Sequence, residues 1–115
     1  MQIQPIKIGK VTAPNNVFLA PMAGYTDYAF RTLALKLGAG FCFTELVSAK
    51  GTVYKAGGTA ELLYCGEKNL DGGGKSSRDI DYTAAQLFGS EPYYMRAAAE
   101  SEELKDFKVI DINMG

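Results

Sequence analysis

An apolar run that ends in a bare turn constrains this chain more than any other stretch: Val17–Ala20 is followed by Pro21–Gly24. Consecutive apolar residues predict a strand buried on both faces, as in a parallel sheet, and Pro21 ends it because proline cannot donate to a ladder. Ala23 and Gly24 leave the backbone bare, so a flat ligand could lie against it. Ligands of parallel α/β folds bind outside the carboxyl ends of the strands. The turn is therefore a candidate binding site, although an ordinary strand–turn–helix connection would use the same residues.

Other apolar runs follow at the spacing of repeated strand–helix units. A short hairpin is predicted near Ile3–Val11, ahead of the first strand at Val17–Ala20. Later strands are predicted at Phe41–Leu46, Tyr82–Leu87 and Phe107–Ile112. Because helical segments separate these strands, the sequence predicts an α/β fold built from parallel βα units.

Three helices are expected between the strands. They are Asp27–Leu37, Val47–Gly51 and one that begins near Glu91 with Ser90 as its N-cap. Apolar residues recur at helical spacing in the first helix and predict its buried face, whereas Arg31 falls outside this stripe. The stripe consists of Ala29, Phe30, Leu33, Ala34 and Leu37.

Two residues of the second predicted strand carry chemistry. Cys42 is interpreted as a small core residue rather than a nucleophile, because free cysteine is among the most buried residue types. Glu45, near the carboxyl end of that strand, has two interpretations: an active-site carboxylate near a substrate, or a cap for the helix at Val47. Further along, the short apolar run Leu62–Cys65 predicts an extra strand or an edge element.

The composition excludes several classes of protein. With 115 residues and a net charge of -1, the chain itself is not expected to carry a strongly basic nucleic-acid-binding surface, although RNA binding by a larger protein that contains it is not excluded. The sequence has no run of about 20 apolar residues, so no membrane span is predicted. The N-terminus lacks the pattern of a signal peptide. The two cysteines do not suggest a disulfide scaffold, which favours a reducing cytoplasm. The sequence predicts no metal site.

The glycine-rich segment Asp71–Lys75 predicts an exposed hairpin tip. Gly74–Ser76 is similar to the end of a phosphate-binding loop. However, Asn69 stands where that loop needs a glycine, and no helix is predicted directly after the segment. The ATPase interpretation is therefore rejected.

Three motifs, in order and at plausible spacing, resemble the tRNA-dihydrouridine synthases. The segment Leu19–Gly51 closely resembles the opening of these enzymes, and Val109–Gly115 matches a second motif that continues in the family with Cys-Pro. Gln86, within Ala84–Gly89, matches a third. Together the motifs run through most of the chain but not through its middle.

The resemblance implies an FMN-binding TIM barrel that reduces uridine in tRNA to 5,6-dihydrouridine, with NADPH as the reductant. It implies that Pro21, Met22 and Ala23 contact FMN beneath its ring. Gln86 is expected at the pyrimidine edge of the flavin, where an amide can both donate and accept. Asn113 is expected near flavin and substrate at the end of the fourth strand.

The resemblance covers only the N-terminal βα units of such a barrel, which needs about 250 residues when complete. Residues 1–115 are therefore expected to be the N-terminal part of a TIM-barrel flavoprotein domain, truncated at Gly115. The cysteine that donates the proton in the family would follow Gly115. We expect the 115 residues alone to be inactive and, because of their open strand edges, to self-associate.

Two alternatives stay open on sequence grounds. One is another FMN-dependent TIM-barrel oxidoreductase of the dihydroorotate-dehydrogenase type. The other is a small α/β binding module that is complete at 115 residues and has no catalytic activity.

Overall fold

The computed structural model describes residues 2–66 and 78–115, with a hairpin ahead of a parallel sheet and helices between the strands. The hairpin consists of β1 Ile6–Ile8 and β2 Val11–Ala13. The sheet consists of β3 Phe18–Leu19, β4 Phe41–Phe43, β5 Val47–Ser48, β6 Thr83–Phe88 and β7 Ile110–Ile112. The helices are α1 Tyr28–Lys36, α2 Ala49–Val53, α3 Thr59–Leu63, α4 Arg78–Asp81 and α5 Pro92–Ala99. The predicted hairpin tip and the rejected phosphate loop lie outside the described residues.

β6 is the strand that organises the sheet, because it pairs in parallel with β4, β5 and β7. Leu87 partners both Val47 of β5 and Ile112 of β7, so these two strands lie on opposite edges of β6. β3 in turn pairs in parallel with β4. The predicted α/β fold of parallel βα units is confirmed.

β4 and β5 are two segments along the same edge of β6. Thr44 donates its N–H to Ala84 O at 2.9 Å, and Ala85 donates its own N–H to Val109 O at 3.2 Å. Successive residues of a strand bond toward opposite edges, so β4 faces away from β7. The predicted strand Phe41–Leu46 therefore ends at Phe43, and pairing along this edge of β6 resumes in the two-residue strand β5.

Several predicted boundaries are wrong. Residues 47–48 belong to a strand, and the helix over this region begins at Ala49 with Ser48 as its N-cap. Leu62 and Leu63 lie in α3, not in an extra strand, because the residues around them close helical hydrogen bonds. Glu91, not Ser90, is the N-cap of α5, and Pro92 occupies the first turn, where its missing N–H is not needed.

The first strand is also less buried than its composition predicts. Phe18 and Leu19 are half-buried, and Val17 is 41% exposed. Among the described residues β3 pairs only with β4, so it is an edge strand with one side uncovered.

The predicted start of α1 is confirmed, but its predicted buried face is wrong. Asp27 is the N-cap, and its Oδ1 accepts the N–H of Phe30 at 2.9 Å. Leu33 and Leu37 are 55% and 81% exposed, whereas Arg31 is only 2% exposed. The helix therefore buries the side chain of Arg31, which the spacing of its apolar residues does not predict.

Two apolar clusters lie on opposite faces of the sheet. One packs β5 and β6 against the helices, and its buried members are Val47, Ala49, Leu63, Ala85, Leu87, Ala98 and Leu104. The other packs the hairpin against the opposite face, and its buried members are Val11, Ala13, Phe41 and Ala84. Because side chains alternate along a strand, Gln86 shares the face of Ala84 and lies two residues nearer the carboxyl end. None of the helices in the described part of the chain is long and apolar enough to cross a membrane.

We expect the 115 residues expressed alone to self-associate through the exposed apolar side of α1. Phe30 and Leu33 are 43% and 55% exposed and lie on one side of the helix with Leu37. Analytical ultracentrifugation over a range of concentrations tests this. Leu33→Lys should shift the distribution toward monomer, whereas the exposed Tyr25→Lys should not. Concentration-independent monomers of the unmodified chain would contradict the prediction.

Candidate active site at the carboxyl ends of the strands

The turn after β3 is closed by hydrogen bonds around Met22. Thr26 is fully buried; its N–H donates to Met22 O at 2.9 Å, and its Oγ1 accepts the N–H of Met22 at 3.0 Å. Tyr25 N also donates to Met22 O, at 3.0 Å. Gly24 has φ of 78°, a conformation that favours glycine. These bonds hold Pro21, Met22 and Ala23 in one conformation, with the Met22 side chain 41% exposed for apolar contact.

Glu45 fixes the far side of this turn. Glu45 lies between β4 and β5, and its Oε1 accepts the backbone N–H of Gly24. The interpretation of Glu45 as a helix cap is wrong, since the Ser48 hydroxyl caps α2 by accepting the N–H of Gly51 at 3.1 Å. The structure thus places Glu45 at the candidate site, in contact with the turn.

Gln86 is held at the same end of the sheet and is 6% exposed. Its side-chain Nε2 donates to Asp111 Oδ2 at 2.6 Å, because the two residues are direct partners in the parallel pairing of β6 with β7. Asp111 was not among the residues predicted to form the site. The alternation of Val109, Asp111 and Asn113 is a signal, but it identifies the contact only once the register with β6 is known.

Thr44 connects the two parts of the site and was also missed. Its fully buried hydroxyl donates to Glu45 O and accepts the backbone N–H of Gln86, both at 2.9 Å. Between β4 and β5 the hydroxyl thus accepts an N–H of β6 that a backbone carbonyl would accept in a regular pair of strands. Bulges of this kind commonly redirect a side chain beside an active site. A single threonine therefore links the positions of Glu45 and Gln86.

Asn113 extends the site past the end of β7. Its backbone N–H donates to Leu87 O at 2.9 Å, and its side-chain Oδ1 accepts the N–H of Gly115 at 3.0 Å. Asn113 is half-buried and lies two residues after Asp111, on the same face of the chain. The predicted site residues thus follow the carboxyl ends of neighbouring strands, as expected for a parallel α/β fold.

Neither cysteine is placed for chemistry at this end of the sheet. Cys42 and Cys65 are buried, with 0% and 6% exposure, and both lie near the inward-facing Arg31. Burial raises the pKa of the Cys42 thiol to about 11 and also raises the pKa of Cys65, while the Arg31 charge opposes both shifts. The thiols therefore stay protonated and inert, and the predicted core role of Cys42 is confirmed.

A depression of about 650 Å³ lies at the opposite end of the sheet. It is lined by Ile8, Gly9, Lys10, Lys108, Val109 and Ile110. These residues belong to the hairpin and to the amino end of β7, the end that serves stability rather than catalysis in barrels. The hydrogen-bonded groups at the carboxyl ends, not this depression, are therefore the candidate site.

Comparison with known protein families identifies the family of this chain. A family model described as dihydrouridine synthase (Dus) matches residues 18–115, which include the turn, Glu45, Gln86 and Asn113. The chain belongs to the dihydrouridine synthase family. The match favours the synthase over the dihydroorotate-dehydrogenase type and the small binding module. It also confirms the fold prediction, since dihydrouridine synthases are TIM barrels and this chain carries βα units of one.

Curated relatives are similar over almost the whole chain. The tRNA-dihydrouridine synthase B of Vibrio parahaemolyticus is 34% identical over 111 residues, which cover 96% of this chain and 31% of the relative. A probable tRNA-dihydrouridine synthase of Treponema pallidum is 36% identical over 112 residues, which cover 96% and 30%. The chain therefore spans about three-tenths of the length of these relatives.

We predict that Glu45→Ala loosens the turn, because Gly24 N–H loses its carboxylate acceptor. A hydrogen bond to a charged group is worth about 1.5–3 kcal/mol, and partial exposure reduces this to about 1 kcal/mol here. Amide exchange of the peptide covering residues 20–27 should accelerate roughly fivefold. The measurement uses protein from the complete reading frame that contains this chain.

Glu45→Gln is the matched control, since its amide oxygen can still accept from Gly24. Its exchange should stay within about twofold of the unmodified protein. Equal exchange in Glu45→Ala and the unmodified protein would show that the contact does not hold the turn.

Proposed function

We propose that this chain forms part of an FMN-dependent synthase that reduces uridine in tRNA to 5,6-dihydrouridine, with NADPH as reductant. The observation that carries the proposal is the family match over residues 18–115, the segment in which every candidate site residue lies. The printed names of the relatives, tRNA-dihydrouridine synthase, support the reaction and the substrate. A cytoplasmic location is part of the proposal.

The residues present fit a flavin. The turn at Pro21–Ala23 offers a small, closed backbone and one half-exposed methionine, which suits flat apolar packing. Gln86 donates one N–H to Asp111 and has a second N–H and a carbonyl oxygen. This pair of groups suits a ring edge on which two acceptors flank one donor. We propose that Pro21, Met22, Ala23 and Gln86 contact FMN.

FMN supplies the hydride chemistry when it is bound, and the protein supplies position and protons. Thr26 and Glu45 hold the turn that would pack against the flavin ring, and Gln86 would bind the pyrimidine edge. Asn113, at the end of β7, is proposed to face the uracil base. That base must leave its stack to reach the site.

The proton donor is proposed to lie outside residues 1–115. Cys42 and Cys65 are buried beside Arg31 on the helix-facing side, so neither reaches the site. We retain the prediction that the donor is a cysteine directly after Gly115. The 115 residues alone should then be inactive.

The function is tested with unmodified tRNA, FMN and NADPH. Protein from the complete reading frame should form dihydrouridine, detected by mass spectrometry of the digested tRNA, and the 115 residues alone should form none above a no-protein control. No dihydrouridine from the complete protein would contradict the function. Turnover by the 115 residues would contradict the assignment of the proton donor.

The cofactor assignment predicts that Gln86→Ala weakens FMN binding. Unpaired polar atoms at the flavin edge cost about 1–3 kcal/mol, or roughly fivefold to 150-fold in affinity. Gln86→Glu should bind more weakly still, since its carboxylate cannot donate and would face both Asp111 and the flavin carbonyl oxygens. Fluorescence quenching of FMN measures the affinity in protein from the complete reading frame.

Gln86→Met separates packing from hydrogen bonding, because methionine has a similar size and cannot donate a hydrogen bond. It should weaken FMN binding as much as Gln86→Ala while preserving the melting temperature of the apoprotein. Unchanged affinity with a lowered melting temperature in all three variants would show that Gln86 is structural.

A further inference from the structure

We propose that Asp111 is a positioning residue that sets which atoms of the Gln86 amide face the flavin. The inference rests on the proposed function, because it concerns the same cofactor site. Its basis is the 2.6 Å hydrogen bond from Gln86 Nε2 to Asp111 Oδ2 between directly partnered residues of β6 and β7. The family match alone does not identify this contact.

The backbone already holds the two strands together without this side-chain bond. Three consecutive pairs join β6 to β7, and Ala85 N and Asn113 N add hydrogen bonds at either end of the pairing. The backbone N–H of Gln86 is fixed separately by Thr44 Oγ1 at 2.9 Å. The pairing of β6 with β7 therefore does not depend on the bond between Asp111 and Gln86 alone, and this bond acts on the orientation of the amide.

An amide side chain can present its oxygen or its nitrogen after a half-turn of its last torsion, which has a broad, roughly two-fold profile. An ionised carboxylate only accepts hydrogen bonds. Asp111 therefore accepts from Nε2 and repels Oε1, so only one of the two orientations is stable. In that orientation Gln86 keeps its carbonyl oxygen for a donor and one N–H for a neighbouring acceptor.

This pattern matches one feature of the flavin edge, the single N3–H between two carbonyl oxygens. A fixed carbonyl oxygen at Gln86 accepts from N3–H without first losing rotational freedom, which favours binding. A flavin that carries a methyl group at N3 cannot donate there. The positioned amide should reject it, whereas a freely rotating amide should discriminate less.

The charge of Asp111 has a second consequence. A negative charge beside the pyrimidine edge opposes the negative charge that this ring gains on reduction, so it lowers the affinity for reduced relative to oxidised FMN. Removing the charge should raise that ratio about tenfold, which for a two-electron couple is a rise of about 30 mV in midpoint potential.

The test compares Asp111→Asn with Gln86→Ala and with the double variant, in protein from the complete reading frame. Glu100→Gln is the control for loss of one negative charge, because Glu100 is exposed and pairs only with Arg96 among the described residues. Each protein is titrated with FMN and with 3-methyl-FMN. The midpoint potential and the melting temperature of the apoprotein are measured alongside.

We expect Asp111→Asn to bind FMN about tenfold more weakly, to discriminate less against 3-methyl-FMN and to raise the midpoint potential. In the Gln86→Ala background the same change should alter FMN affinity less than twofold, because the residue acts through Gln86. Glu100→Gln should behave like the unmodified protein.

Three results would overturn the positioning role. These are unchanged affinity and potential in Asp111→Asn, an equal loss of affinity in both backgrounds, or a lower melting temperature with no change in potential or discrimination. FMN binding without dihydrouridine formation would remove the proposed reaction and leave the role of Asp111 intact. Failure of the unmodified protein to bind FMN would overturn both.

Discussion

The parallel pairing of β6 with neighbours on both of its edges is the constraint on which the rest of the described structure depends. Five of the six residues of β6 are buried, and each edge receives a different part of the chain. One edge fixes the residues around Thr44, and the other sets Asp111 beside Gln86. A slip of one residue would turn Gln86 toward the helices and place Leu87 over the hairpin. Register and site are thus specified by the same contacts.

A buried cation connects the helix layer to this site. Arg31 donates from Nη1 to Thr26 O at 2.6 Å and from Nη2 to Tyr64 O at 2.7 Å. Thr26 in turn closes the turn around Met22. Burying a guanidinium is costly unless its donors are paired, so these two carbonyl partners offset part of the cost of burying Arg31, whose Nε has no hydrogen-bond partner among the described residues. The chain of contacts makes the conformation of the turn depend on a residue of α1 and on the segment that follows α3.

The sequence predicts the features that depend on local chemistry. The turn after the first strand, a helix that begins near Asp27, the hairpin and the parallel βα units follow from residue types and spacing. Prediction from the sequence fails where a tertiary contact overrides a local pattern. Apolar spacing in α1 indicated a buried stripe, yet Arg31 is buried instead, with carbonyl partners in the turn before α1 and in the segment after α3.

The same limit applies to the candidate site. Glu45 and Gln86 were recognisable from their positions in motifs, but the partners that orient them come from elsewhere in the chain. In both contacts a carboxylate accepts the hydrogen bond. Glu45 accepts from the Gly24 N–H, and Asp111 accepts from the amide nitrogen of Gln86. Because a carboxylate only accepts, each contact requires a donor opposite it and permits one arrangement of the pair. Side chains held this way have less rotational freedom to lose if a ligand binds them, which lowers the entropic cost of such binding.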